Sequence, residues 1–138
     1  MKIRDNGINL IKSFEGCKLD AYKDSAGVWT IGYGHTSGVY KGMVISQMEA
    51  DMLLKQDLVK AELAVNKYDN KYHWNQNQFD ALVSFAFNIG SINQLTAKGT
   101  RSIAEISNKI PAYRKAGGKV LPGLVRRRAA EKELFDRV

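Results

Sequence analysis

The sequence predicts an α+β fold that is mainly α: a small sheet-bearing N-terminal lobe, a long connecting helix and an all-helical C-terminal lobe. Three stretches carry that reading: an alternating segment between Ala21 and Tyr40, a long helical periodicity after Ser46, and the nearly continuous apolar run in "FDALVSFAFNIG". A chain of 138 residues can build one compact domain, or two small lobes that share a connecting element. The sheet-bearing lobe is expected over about residues 16–45, the connecting helix over 46–66, and the helical lobe over 75–138 with a first helix, 7–15, packed against it.

The first helix follows from Ile8, Ile11 and Phe14 at near-helical spacing, with Gly7 and Gly16 as brackets. Glu15 falls in its last turn, where the negative end of the helix dipole disfavours an anion by about 0.3–1 kcal/mol. Such local breaks of a rule concentrate at working sites. In the alternating segment, Trp29, Ile31 and Tyr33 fall on one side, so Trp29 reads as core; Val28, Thr30, Gly32 and Gly34 fall on the other. That second side is small and should leave room beside Thr30. "DSAG" and "HTSG" supply the turns.

Ser46 and Glu49 have the spacing of a capping box. The helix they open runs to about Val65, with Met48, Met52, Leu53, Leu58, Val59 and Leu63 in its periodicity, and is roughly 30 Å long. Phe79 to Phe87 reads as a helix buried on most faces and closed by Gly90. A shorter helix is expected from Thr100 to Lys109, then a loop "KAGGKVLPG", then a last helix from Leu124 to Phe135. Trp74, in the connection before the buried helix, receives no role.

The charge, 21 Lys+Arg against 14 Asp+Glu, attracts polyanions without choosing among nucleic acid, anionic membrane and anionic cell wall. Cys17 is the only cysteine, so an intrachain disulfide and a thiolate metal cluster are excluded; neither His35 nor His73 stands in the context of a thiol base, and Cys17 reads as a small buried thiol. No ligand set has metal spacing, and no cofactor is expected. The N-terminus has neither the apolar run of a secretory signal nor that of a membrane span, so the expectation is a cytoplasmic product without stable membrane insertion.

Glu15 beside Phe14, Asp24 on a turn and Thr30 on an open strand face are three polar groups able to converge on one cleft. Cleavage of a glycosidic bond needs one carboxyl that keeps its proton and one that is ionised. Partial burial raises a carboxyl's pKa, whereas a solvated turn leaves it low. Composition alone does not separate Asp20 from Asp24.

The order Glu15, Asp24, Thr30 within "FEGCKLDAYKD" and "WTIGYGHTSG" resembles the phage-type lysozymes, glycoside hydrolase family 24; "FDALVSFAFNIG" and, more loosely, "LPGLVRRRAAEKELF" extend the likeness over most of the chain. The resemblance implies a two-lobe lysozyme-like fold and a muramidase acting on the β-1,4 bond between N-acetylmuramic acid and N-acetylglucosamine of peptidoglycan. It makes Glu15 the general acid, selects Asp24 over Asp20 as second carboxylate, and gives Thr30 a part in holding the attacking water of an inverting hydrolysis. Gly34, Thr36 and Phe87 match positions lining the saccharide cleft, although periodicity alone reads Phe87 as core. One of Arg126, Arg127 and Arg128 would pair with Glu15 or steady the cleft wall, the other two forming a solvated face. His35 reads as a structural partner of a carboxylate. The resemblance and the missing signal together imply dependence on a separate holin-type protein. A monomer is expected, because no long exposed apolar stripe is evident, and nucleic acid is not an expected partner. The competing readings are a lytic transglycosylase, which needs no second carboxylate, an inert peptidoglycan-binding protein and a basic nucleic-acid binder.

Overall fold

The computed structural model describes all residues, 1–138. Its helices are α1 (Asp5–Glu15), α2 (Gln47–Asn66), α3 (Asp69–Tyr72), α4 (Gln76–Ile89), α5 (Ile103–Lys109) and α6 (Pro122–Asp136); its strands are β1 (Lys18–Lys23), β2 (Trp29–Gly32), β3 (Lys115–Ala116) and β4 (Lys119–Val120). The α+β, mainly helical class is the one the sequence predicts. Two compact units emerge, Lys12–Val59 and Met1–Ile11 with Lys60–Val138.

In the unit Lys12–Val59, β1 and β2 pair antiparallel, with a bulge between Lys18 and Tyr22. The bulged part of β1 takes a third partner: the Ala21 amide donates to the Met43 carbonyl and the Ile45 amide to the Leu19 carbonyl, both at 2.9 Å. Ile31, Tyr33 and Ile45 from this small sheet are buried, as are Ala50, Leu54 and Leu58 of α2. The capping box at Ser46 forms: the Glu49 amide donates to Ser46 Oγ and the Ser46 amide to Glu49 Oε1. Gly32, at φ +64°, ends β2 against α2: a Cβ added there would lie 3.5 Å from the Ala50 Cβ. The open face expected around Thr30 is not found: Thr30 is buried, while Trp29, expected in the core, is half-buried beneath Lys23. The pleat does alternate, but two strands and a turn are too few to cover the Trp29 face.

The other unit is built on α4, whose residues Phe79 to Ala86 are all buried. Asn75 and Gln78 cap it reciprocally, and Gly90 closes it at φ 112°. It packs along α6, which begins at Pro122 in the first helical position rather than at Leu124, because a proline there gives up an amide that has no partner anyway. The predicted loop "KAGGKVLPG" is a hairpin: β3 and β4 pair across Gly117 and Gly118, both at positive φ, a backbone that a two-residue turn demands. Trp74 is a core residue, donating from Nε1 to the Val65 carbonyl at 3.1 Å and stacked on Tyr72. Gly7 is not a bracket but an interior residue of α1; an added Cβ would lie 2.8 Å from Asp80 Cβ, so glycine is what lets the N-terminal segment approach α4.

On α2 the sequence periodicity contains two stripes. Ala50, Leu54, Leu58, Ala61 and Val65 are buried, whereas Met48, Met52, Val59 and Leu63 are exposed. The ground on which a monomer is expected, absence of an exposed apolar stripe, therefore does not hold. No helix is long and apolar enough to cross a membrane.

Candidate functional site

Glu15 is the last residue of α1, and Gly16 beyond it, at φ +70°, supplies the left-handed cap that ends the helix. Glu15 is half-buried. Gly34 comes close to it: a Cβ added at Gly34 would sit 3.6 Å from Glu15 Oε1, and the backbone there has φ +86°. The structure thus brings together two of the residues singled out from sequence, and a side chain at Gly34 would strain the backbone and lie in contact with the carboxylate.

Asp24 opens the three-residue turn between β1 and β2. Its Oδ1 accepts from the Ala26 and Val28 amides, each at 2.9 Å, an arrangement that fixes the carboxylate to its own turn and leaves Oδ2 without a protein hydrogen bond. Thr30 lies on β2 two residues beyond this turn, and its hydroxyl donates to the Val28 carbonyl at 2.9 Å. A hydroxyl has one proton, so Thr30 Oγ1 can only accept from any further partner. Asp20, the other candidate carboxylate, is exposed on the bulged part of β1 beside Val44.

Around this hairpin the unit is tied to α2. His35 Nδ1 lies 2.8 Å from Asp57 Oδ2 and its Nε2 lies 2.8 Å from the Ser37 carbonyl, the carboxylate pairing expected of it. Lys12 pairs with Asp51 at 3.0 Å. The Asp51 hydrogen bond raises the Lys12 pKa and the Lys12 hydrogen bond lowers that of Asp51. Thr36, next to His35, is exposed. Phe87 belongs to the other unit, where it is half-buried on α4 and not part of the fully buried core.

Two of the three arginines do not form the solvated face expected of them: only Arg126 is exposed, while Arg127 and Arg128 are buried around Glu131, which is fully buried. Glu131 Oε2 accepts from Ser84 Oγ at 2.6 Å, Arg128 Nη2 at 3.0 Å and Arg127 Nε at 3.3 Å. Arg128 Nε lies 2.7 Å from Glu131 Oε1, but off the hydrogen-bond direction, so that contact is ionic. Burial pushes the Glu131 carboxyl above the ordinary glutamate range, against the pull of both guanidiniums and Ser84. Sequence reasoning passed over Glu131, though an acid three and four residues after two arginines is a helix-pairing signal. No three side chains of His, Cys, Asp or Glu come together as a metal site would require.

The sequence model of the phage lysozyme family matches residues 12–131. The chain belongs to the phage lysozyme family. The endolysin of Lactococcus phage c2 is 45% identical over 99% of the chain, which spans 61% of that relative's length. The endolysin of Acyrthosiphon pisum secondary endosymbiont phage 1 is 38% identical, with 99% of each chain covered. Among solved structures, the muramidase domain of SpmX from Asticaccaulis excentricus superposes with a TM-score of 0.87 at 39% identity, covering 99% of both chains. For a phage lysozyme chain, Glu15, Asp24 and Thr30 all lie inside the matched residues.

Proposed function

We propose that the chain is a muramidase of the endolysin type, hydrolysing the β-1,4 bond between N-acetylmuramic acid and N-acetylglucosamine in bacterial peptidoglycan. The observation that carries this reading is the state of Asp24 and Thr30. Asp24 Oδ1 is occupied by two amides, and the Thr30 hydroxyl proton is committed to Val28. A water between Asp24 Oδ2 and Thr30 Oγ1 then finds two acceptors, donates both protons to them and turns a lone pair toward the sugar. Glu15 donates its proton to the glycosidic oxygen; the C1–O bond breaks, the water oxygen bonds to C1 from the opposite face, and Asp24 takes the proton it releases. The anomeric configuration inverts. Carboxyls about 6.5–9.5 Å apart suit that geometry.

Gly34, Thr36 and Phe87 line the saccharide path in this reading. In this reading the chain acts on the wall, free of nucleic acid, after release from the producing cell with a holin-type protein. The names of the relatives, endolysins and a muramidase domain, support the reaction class.

Purified protein should clear isolated peptidoglycan and release reducing ends, and Glu15→Gln should reduce the rate by at least about 100-fold. Clearance by wild type no faster than by Glu15→Gln would leave an inert wall-binding protein. Anhydro-muramoyl ends in the product masses would instead assign a lytic transglycosylase.

A further inference from the structure

The hairpin face that holds Asp24 and Thr30 carries a third side chain. In the β1–β2 ladder Tyr22 stands directly opposite Thr30, and Lys23 opposite Trp29. The Asp24 amide, bonded to the Val28 carbonyl at 2.9 Å, continues the same register into the turn. Opposed residues share a face and successive residues alternate. Tyr22, Asp24 and Thr30 therefore lie on one face, and Lys23 and Trp29 on the other. The second pairing is visible as Lys23 Nζ 5.4 Å from the centre of the Trp29 ring.

Directly opposed side chains have β-carbons about 4.5–5.5 Å apart, which a phenol ring easily overlaps. Thr30 is 4% exposed and Tyr22 36% exposed, so the tyrosine is the outer member of the pair and the threonine the sheltered one. The Tyr22 hydroxyl makes no hydrogen bond within the protein, which leaves the ring rather than the hydroxyl as its contribution here. Nothing in the ladder requires an aromatic at this half-exposed position, where a threonine would pair as well.

We propose that Tyr22 is a positioning residue for the hydrolytic water: its ring walls the Thr30 side of the water site, so that one water held by Thr30 and Asp24, not bulk solvent, meets the anomeric carbon. The proposal rests on the hydrolase reading above and deepens it. Placement of a nucleophile this close to its target is worth orders of magnitude in rate, and a gap beside it admits competitors.

The test compares wild type, Tyr22→Phe, Tyr22→Leu and Tyr22→Ala on soluble peptidoglycan fragments in water and in water–methanol, with products weighed by mass spectrometry. Tyr22→Phe should stay within about twofold of wild type, Tyr22→Leu should fall between, and Tyr22→Ala should lose about tenfold in kcat with little change in KM. In methanol, Tyr22→Ala should form methyl glycoside in a several-fold larger proportion than wild type, a partition that loss of fold stability does not alter. Wild-type kcat and wild-type partition in Tyr22→Ala would overturn the proposal, as would a rise in KM alone, which would make Tyr22 a sugar contact. A Tyr22→Phe as impaired as Tyr22→Ala would overturn it too, by assigning the role to the hydroxyl. Wild type that yields anhydro ends or no reducing ends defeats the hydrolase reading itself, and is told apart because it needs no Tyr22 variant.

Discussion

At Asp24 the two oxygens of one carboxylate have different duties. Oδ1 holds the turn together through Ala26 and Val28, which an asparagine oxygen can do equally well. In the proposed hydrolysis Oδ2 receives a proton, which an amide oxygen cannot do. Asp24→Asn is therefore expected to keep its circular dichroism spectrum and melting temperature while losing at least about 100-fold in reducing-end release. Retained activity in that variant would remove the second carboxylate from the chemistry and favour the transglycosylase mechanism, in which the substrate's own hydroxyl attacks. The sequence placed Asp24 on a turn because Ser25, Ala26 and Gly27 follow it; that the turn consumes only one of its oxygens needed the folded hairpin.

Among the elements, α4 shows how local signals and packing divide the work. Its N-terminal end is specified by two side chains three residues apart: the Gln78 amide donates to Asn75 Oδ1 at 2.7 Å, and the Asn75 amide donates to Gln78 Oε1 at 3.0 Å. Asn75→Ala removes the first bond and unseats the second, and is expected to lower stability by about 1 kcal/mol, seen as a drop of about 3 °C in melting temperature with activity per folded molecule unchanged. The opposite face of the problem is α2, where the same periodicity fits Met52 and Leu54 and only the neighbours decide which is buried. Likewise the arginines of α6 look alike along the chain, and it is Ser84 of α4 and Glu131 of α6 that draw two of them into the interior. Removing one member of such a buried charge group strands the others, which is why the group behaves as a unit.

On the scale of the whole molecule, buried Asp80 links pH to stability. Its Oδ1 accepts from the Arg4 amide and Gln76 Nε2, so it pins the N-terminal segment to α4. Burial raises its pKa above the ordinary 3.8, an effect its hydrogen bonds only partly offset. The folded state then binds the proton more tightly than the unfolded state, so this residue's contribution to stability is greatest below 3.8 and is lost as pH rises through its raised value. Asp80→Asn, which keeps the acceptor and cannot ionise, should lack that loss: urea midpoints measured from pH 3.5 to 7 should improve relative to wild type as pH rises, and a gap that stays constant would contradict the assignment. The sequence by itself determined the order of the longer helices and the first hairpin, the capping box at Ser46, Gly16 and Gly90 as helix ends and the Glu15–Asp24–Thr30 order, because each is set by residues a few positions apart acting on their own backbone. Only the tertiary structure decided which stripe of α2 faces inward, that Gly7 must yield space to Asp80, that Arg127 and Arg128 are interior, and that Tyr22 is paired with Thr30. Those outcomes depend on which distant surfaces meet and on the strand register, and no local pattern of side chains encodes either.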